Sequence, residues 1–159
     1  RPWPSWAAAQ PLASSSTAQK HAVARYFRSQ RGMLPIFLAG PAEIELVRQI
    51  AREADALDTT DPILPLSYLK ALVRRARLMI TTDTGPRHIA VAFGVPVVCI
   101  MGPTDPRYTA YCLDGSVVIR KELPCAPCHM KHCPLGHHDC MKKIEFDEVV
   151  AAGEQLLAR

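Results

Sequence analysis

The chain has 159 residues, of which 48% are hydrophobic and 21% charged, with a formal net charge of +4. These values are typical of one soluble globular domain with a buried core. The aromatic fraction of 6% and the small charge excess argue against a nucleic-acid partner and are compatible with an anionic small ligand.

No apolar run approaches the roughly 20 residues of a membrane span, so no transmembrane segment is predicted. Prolines and tryptophans interrupt the first ten residues, which therefore do not resemble a signal peptide. Four of the six cysteines crowd into residues 125–140, and Cys99 lies in an apolar run, a usage that favours a reducing cytoplasm. Because the chain begins with Arg1 and not with methionine, it is interpreted as a fragment or a processed product.

The predicted elements alternate between helix and strand. Residues 1–16 are rich in Pro, Ala and Ser and are predicted to be a linker or an irregular lead-in, so that the domain comprises residues 17–159. The predicted helices are Thr17–Gln30, one that starts at Gly40–Pro41, Leu66–Arg75, Pro86–Phe93 and Phe146–Leu157. The predicted strands are Leu34–Leu38, Leu78–Thr82, Val95–Met101 and Ser116–Ile119.

This alternation predicts an α/β fold, a Rossmann-like parallel sheet with helices on both faces. The third helix is expected to turn Leu66, Leu69, Leu72 and Val73 toward the sheet.

Residues 80–88 are predicted to form a strand end, a tight turn and a helix start. In such a corner the amide groups and the dipole of the helix favour a phosphate. Gly85 lets a ligand approach the backbone, Thr84 offers a hydroxyl, and His88 lies one turn into the helix. Asp83 is expected to cap amide groups of the turn or to bind a sugar hydroxyl. The alternative is that Asp83 is an ordinary helix cap and His88 an ordinary helix residue.

The loop Gly102–Pro106 follows the next strand and is expected to form a second wall of the same site, with Thr104 and Asp105 at its tip. The sequence contains neither a G-x-G-x-x-G motif nor a Walker A motif, so the dinucleotide and P-loop forms of a phosphate site are not supported.

Residues 83–88, Gly94–Val98 and Gly102–Pro106 together resemble the D-[ST]-G-x-x-H, G-V-P-V-V and G-P-T-D-P motifs of one family. That family is the ADP-heptose:lipopolysaccharide heptosyltransferases, glycosyltransferase family 9, and the resemblance is to the C-terminal, donor-binding half of its two-domain GT-B architecture. The cysteine-rich stretch 124–141 is similar to the heptosyltransferase II branch. The resemblance covers about residues 33–158.

The resemblance implies that Asp83, Thr84, Gly85 and His88 hold the diphosphate and sugar of ADP-heptose, and Thr104 of the neighbouring loop is counted with them as a donor-binding residue. It also implies that Gly40 and Glu43, with Glu45 as the second choice, contact the ribose, and that the backbone around Leu64–Leu66 supports the adenine. The alternative for Glu43 is a first-turn acidic residue that interacts only with the helix dipole.

The implied reaction is transfer of heptose to the lipopolysaccharide inner core, in the cytoplasm or at the inner face of the inner membrane. In the family the N-terminal domain binds the acceptor and supplies the carboxylate base, so no catalytic residue is expected here, and the chain alone is expected to bind but not to transfer. The family's K-x-W-P motif is matched only loosely by Arg1–Pro4, upstream of the aligned position, and Ser14–Thr17 contains no cation. The alternatives are a transferase that uses another nucleotide sugar and a stand-alone nucleotide- or metal-binding module.

The cysteine cluster consists of Cys125, Cys128, Cys133 and Cys140, with histidines between them. A C-x2-C pair with further Cys and His predicts a candidate structural zinc site. Reduced or partly paired thiols are nevertheless preferred over this metal site, and no cofactor is expected to be required.

Overall fold

The computed structural model describes residues 6–9, 17–109, 113–130 and 132–159. The strands are β1 (Trp6–Ala9), β2 (Leu34–Phe37), β3 (Leu57–Asp58), β4 (Leu78–Thr82), β5 (Val97–Ile100) and β6 (Ser116–Ile119). The helices are α1 (Thr17–Arg31), α2 (Ile44–Ala54), α3 (Leu66–Val73), α4 (Gly85–Ala92), α5 (Asp139–Lys142) and α6 (Phe146–Leu157). Two short 3₁₀ helices, Pro106–Thr109 and Leu113–Gly115, lie between β5 and β6.

The strands form one parallel sheet in the order β3-β2-β1-β4-β5-β6. The chain builds outward from β1 in one direction, then crosses back and builds outward from β4 in the other. This is the doubly wound order in which ligands bind where the direction reverses, at the carboxyl ends of the strands. The prediction of a Rossmann-like α/β fold is confirmed.

Helices cover both faces of the sheet because consecutive side chains of a strand point to opposite faces. Leu78 and Ile80 of β4 pack with Phe27 of α1 and Leu156 of α6. Met79, between them in sequence, packs in a second core that includes residues from α3 and α4. A third cluster joins α1, α2 and β2. The strands are therefore held from both sides, and their carboxyl edge is the place where loops can build a site.

The predicted linker over residues 1–16 is wrong at Trp6–Ala9, which is β1 and lies in the interior of the sheet. Its backbone pairs with β2 on one side and with β4 on the other. Alanine has little intrinsic strand propensity, so the short run WAAA between prolines carries no local strand signal. Pairing on both sides makes it a strand. Residues 1–5 and 10–16, including the loose K-x-W-P match and most of Ser14–Thr17, lie outside the described residues.

Three smaller predictions need correction. The second helix begins at Ile44 and not at Gly40–Pro41, because these residues form a turn in which the Glu43 amide donates to the Gly40 carbonyl at 3.0 Å. Leu66 is 58% exposed and does not face the sheet, since it is the first residue of α3 and no preceding turn lies beneath its side chain. Strand β3, which pairs with β2, was not predicted.

Candidate functional site

The two segments singled out in the sequence lie side by side at the carboxyl edge of the sheet. Thr82, the last residue of β4, is paired with Ile100, the last residue of β5. Residues 83–84 then lead into α4, while Gly102–Pro106 leads into the 3₁₀ helix Pro106–Thr109. The expectation that the Gly102–Pro106 loop adjoins the Asp83 corner is confirmed, and β4 is also the strand next to the reversal of strand order.

A cavity of about 460 Å³ opens at this edge. Thr82 and Asp83 line one side, and Gly102, Pro103 and Thr104 line a second. The third side is the cysteine-rich loop, which contributes residues from Cys125 to Met141. The cavity thus brings together Asp83, Thr104 and the four cysteines of the cluster, an arrangement that sequence reasoning did not predict.

The cysteine-rich loop is held against the Gly102–Pro106 loop by close packing and a backbone bond. The His129 amide donates to the Pro103 carbonyl at 2.8 Å. A Cβ placed on Gly102 would lie 2.5 Å from Met141 Sδ and 3.2 Å from Cys140 Sγ, so a larger residue there would require the Met141 side chain to move. Gly102 is therefore needed for packing inside the protein.

The expectation that Asp83 caps amide groups of the turn is wrong. The N-cap residue of α4 is Thr84, and no side chain caps the helix by a hydrogen bond. Asp83 instead accepts a bond from Arg87 Nη1 at 2.7 Å and a longer one from the Thr109 hydroxyl at 3.4 Å. Arg87 was missed as a site residue, although an aspartate just before a helix and an arginine four positions later in its first turn are close enough to pair.

The other residues of this corner are arranged as follows. The Thr84 hydroxyl lies 3.2 Å from the Thr81 hydroxyl and 3.4 Å from the Thr82 carbonyl. His88 is partly exposed, with Nε2 at 3.8 Å from Asp83 Oδ1. Gly85 lies at the start of α4, and a Cβ placed there would meet no heavy atom within 4 Å. The backbone of the first turn is thus open to a ligand at Gly85.

Asp105 is buried and not presented at the tip of its loop, which corrects the prediction. Its carboxylate accepts bonds from the backbone amide and the guanidinium of Arg107, and these bonds lower the pKa of Asp105 to about 2. The reason is local, because a short acidic side chain at the start of a helical turn can bind an amide two residues ahead. Thr104 remains in the cavity wall.

Gly40 and Glu43 lie beyond β2 and are not part of the cavity wall that contains Asp83. The Gly40 amide donates to Glu43 Oε2 at 3.4 Å, and Glu43 is the N-cap residue of α2. Both residues are nevertheless at the same carboxyl edge of the sheet, with β1 between β2 and β4. Their contact with a ribose, and that of Leu64–Leu66 with an adenine, stay predictions.

The cysteines of the cluster carry no disulfide, and neither does Cys99. Backbone amide bonds, first that of His138 and then those of neighbouring residues, lower the pKa of the Cys133 thiol. Burial raises the pKa of Cys140, and the charges of the other three cysteines of the cluster raise it further. Cys125 Sγ lies 3.9 Å from His137 Nε2.

Within the described ranges no three Cys, His, Asp or Glu side chains are placed so as to hold a metal ion. The arrangement therefore does not supply a ready zinc site, although four sulfur ligands line one cavity. The zinc site stays a prediction, and metal analysis of the purified chain would support it by finding one zinc per chain.

The part of the chain that the structure describes contains no helix long and apolar enough to cross a membrane.

Comparison with known proteins adds to this geometry. Residues 11–138 match glycosyltransferase family 9 (heptosyltransferase). The chain belongs to this family. The lipooligosaccharide heptosyltransferase 2 of Campylobacter jejuni is 33% identical over 136 residues, which are 81% of this chain and 42% of that protein. This family member therefore spans less than half the length of that relative.

Solved structures of the family show the same fold. The ADP-heptose lps heptosyltransferase II of E. coli superposes with a TM-score of 0.79 at 18% identity, covering 99% of this chain and 48% of that one. The E. coli heptosyltransferase WaaC with ADP superposes with a TM-score of 0.68 at 17% identity, covering 96% and 44%. The chain therefore has the fold of about half of these transferases.

Proposed function

We propose that this chain is the donor-binding half of a heptosyltransferase and holds the diphosphate of ADP-heptose against the start of α4. The observation that carries the proposal is Gly85. Its φ is not in the left-handed region, and its missing Cβ leaves open space, so nothing inside the protein requires a glycine there. A ligand that lies directly against the backbone would require one. Gly102 differs, since a Cβ there would meet the side chain of Met141.

We assign the heptose and the nucleoside of the donor to the two sides of this corner, along the carboxyl edge of the sheet. The heptose lies in the cavity with Asp83 and Thr104, whose oxygen atoms suit sugar hydroxyls. The nucleoside extends toward the corner after β2, where Glu43 binds the ribose beside Gly40 and the segment Leu64–Leu66 supports the base. A cavity of about 460 Å³ is within the usual range for small-molecule sites.

The proposed chemistry is attack of an acceptor hydroxyl on the anomeric carbon, with cleavage of its bond to the diphosphate. The negative charge that develops on the leaving oxygen is stabilised by the first-turn amide of Gly85 and by His88. The proton of the acceptor hydroxyl passes to a base outside this chain, and the lipopolysaccharide core acceptor binds there too. The site of action in the cytoplasm, or at the inner face of the inner membrane, stays a prediction.

The relatives support the donor in this proposal. The Campylobacter jejuni relative is described as a lipooligosaccharide heptosyltransferase, and the WaaC structure contains ADP.

Calorimetric titration of the chain with ADP and with UDP tests the proposal. We expect ADP to bind and UDP to bind more weakly. Equal binding of the two would favour a transferase that uses another nucleotide sugar. Absence of ADP binding at millimolar concentration would overturn the donor site.

A further inference from the structure

The corner proposed for a diphosphate begins with an acidic residue. Asp83 lines the cavity, and its side chain is 14% exposed. A carboxylate in that position repels a phosphate, because two like charges a few ångströms apart interact strongly where little water screens them. The corner needs a cation to offset this repulsion.

Arg87 supplies that cation from inside the protein. It is 1% exposed, and its Nη1 donates to Asp83 Oδ1 at 2.7 Å. Arg87 lies in the first turn of α4, four residues after Asp83, and it does not line the cavity. It therefore compensates the charge of Asp83 without occupying the space of the ligand.

The same guanidinium also joins two walls of the site. Its Nη2 donates to the Thr109 carbonyl at 3.0 Å, while the Thr109 hydroxyl donates to Asp83 Oδ2. Asp83, Arg87 and Thr109 thus form a closed ring between the end of β4 and the 3₁₀ helix after β5. Burial raises the pKa of the Cys99 thiol to about 12, and both charged groups of this ring also act electrostatically on that thiol.

We propose that Arg87 is a positioning residue of the donor site, which neutralises Asp83 so that a diphosphate can bind beside it. This inference rests on the proposed function and deepens it. Arg87 itself does not touch the donor. Its effect on binding acts through the charge of Asp83, and that distinguishes it from a residue that only stabilises the fold.

The test is a charge-compensation experiment with ADP and adenosine as ligands. ADP has no heptose, so the loss of sugar contacts at Asp83 does not disturb the measurement. We expect Arg87→Met to weaken ADP binding about 10-fold or more, with little change for adenosine, because only the phosphates meet the unpaired carboxylate. The double variant Asp83→Asn with Arg87→Met should recover ADP binding to within about 3-fold of the unsubstituted chain.

Arg31→Met is the matched control. Arg31 also pairs with a carboxylate, that of Glu154, but it ends α1 just before β2 and so lies at the opposite, amino edge of the sheet. This variant should leave ADP binding unchanged. Circular dichroism establishes that each variant is folded before it is titrated.

The outcomes separate the two proposals. No ADP binding by the unsubstituted chain overturns the proposed function and this inference with it. ADP binding that Arg87→Met weakens, and that the added Asp83→Asn does not restore, overturns this inference alone. If Arg87→Met does not fold, Asp83→Asn is the deciding variant. Removal of the carboxylate charge removes the repulsion of the phosphates, so this variant should bind ADP at least as tightly as the unsubstituted chain, and a 10-fold loss would contradict the inference.

Discussion

The corners after β2 and β4 are built from similar parts. Each has a parallel strand, a glycine, an acidic residue and the start of a helix at the carboxyl edge of the sheet. In the β2 corner, Glu43 accepts a bond from the amide of Gly40 within its own turn. In the β4 corner, Asp83 binds a buried guanidinium that reaches across to Thr109. Glu43 is therefore held within its own turn, whereas Asp83 is held by a side chain that also contacts a distant segment of the chain.

The two corners therefore suit different parts of a ligand. The bond to Glu43 comes from a backbone amide and not from a cation, and its carboxylate oxygens suit the hydroxyl donors of a ribose. The charge of Asp83 is offset by Arg87, so its corner tolerates an anion. Two acids at one sheet edge are therefore expected to have different roles, so substitutions in the two corners should affect ligand binding differently.

Removal of Arg87 should have the largest effect on stability. Arg87→Met leaves a carboxylate without its buried partner and is expected to lower the free energy of unfolding by about 3 kcal/mol, as measured by urea denaturation. Arg31→Met, which breaks an exposed pair with Glu154, should change it only slightly. Equal losses in the two variants would mean that the ring at Thr109 adds nothing to the β4 corner.

Substitution of Gly85 should have the next largest effect, and it should act on binding alone. Gly85→Val is expected to weaken ADP binding about 30-fold, because its side chain occupies the space of the phosphates. The unfolding midpoint should change little, since that space is empty of protein atoms. Gly115→Val is the matched control, because Gly115 is equally open but precedes β6 at the amino edge. Retained ADP affinity in Gly85→Val would remove the main support for a phosphate at α4.

A smaller effect is expected at the β2 corner. Glu43→Gln should weaken both ADP and adenosine about 5-fold in calorimetry, because a ribose contact is common to the two ligands. The neighbouring acid Glu45, which is exposed and bonded to Arg48, provides the control variant Glu45→Gln. If Glu43→Gln binds both ligands as tightly as the unsubstituted chain, Glu43 is only a helix-turn residue.

The smallest effect concerns acid stability at Asp105. The bonds from Arg107 lower the pKa of Asp105 from the ordinary 3.8 to about 2. A depressed carboxyl pKa contributes stability above the ordinary value, and this contribution is lost as the pH falls toward 2. Thermal melting of Asp105→Asn should therefore show a smaller drop between pH 4 and pH 2 than that of the unsubstituted chain. An identical drop would show that Arg107 does not anchor this segment.

Much of the fold could be predicted because its signals are local. The apolar run of β4 and the apolar spacing of α6 placed both elements at the bounds that the structure has. The residues of β1 could not be placed, because alanine acquires a strand conformation there only through pairing with two other strands.

Some features of the candidate site could likewise be predicted from the sequence, and others could not. The position of Asp83 at a strand end follows from the chain order of the elements, and so does its neighbour loop Gly102–Pro106. The pairing of Asp83 with Arg87 could not be predicted in this way, because the burial of Arg87 depends on the distant segment that ends at Thr109. The cysteine-rich loop could be found from its composition, whereas its place as a cavity wall depends on the close approach at Gly102.

The interior position of β1 has a consequence for how the domain can assemble. Residues 6–9 are the only described segment that pairs with both β2 and β4, so they join two half-sheets, the two-stranded β3-β2 and the three-stranded β4-β5-β6. Their pairing with β4 links distant parts of the chain, and such contacts slow folding. A shortened chain that starts at residue 11, where the family match begins, would leave the two half-sheets unconnected. The four-residue strand β1 therefore connects the two parts of the sheet, and a shortened chain should retain it.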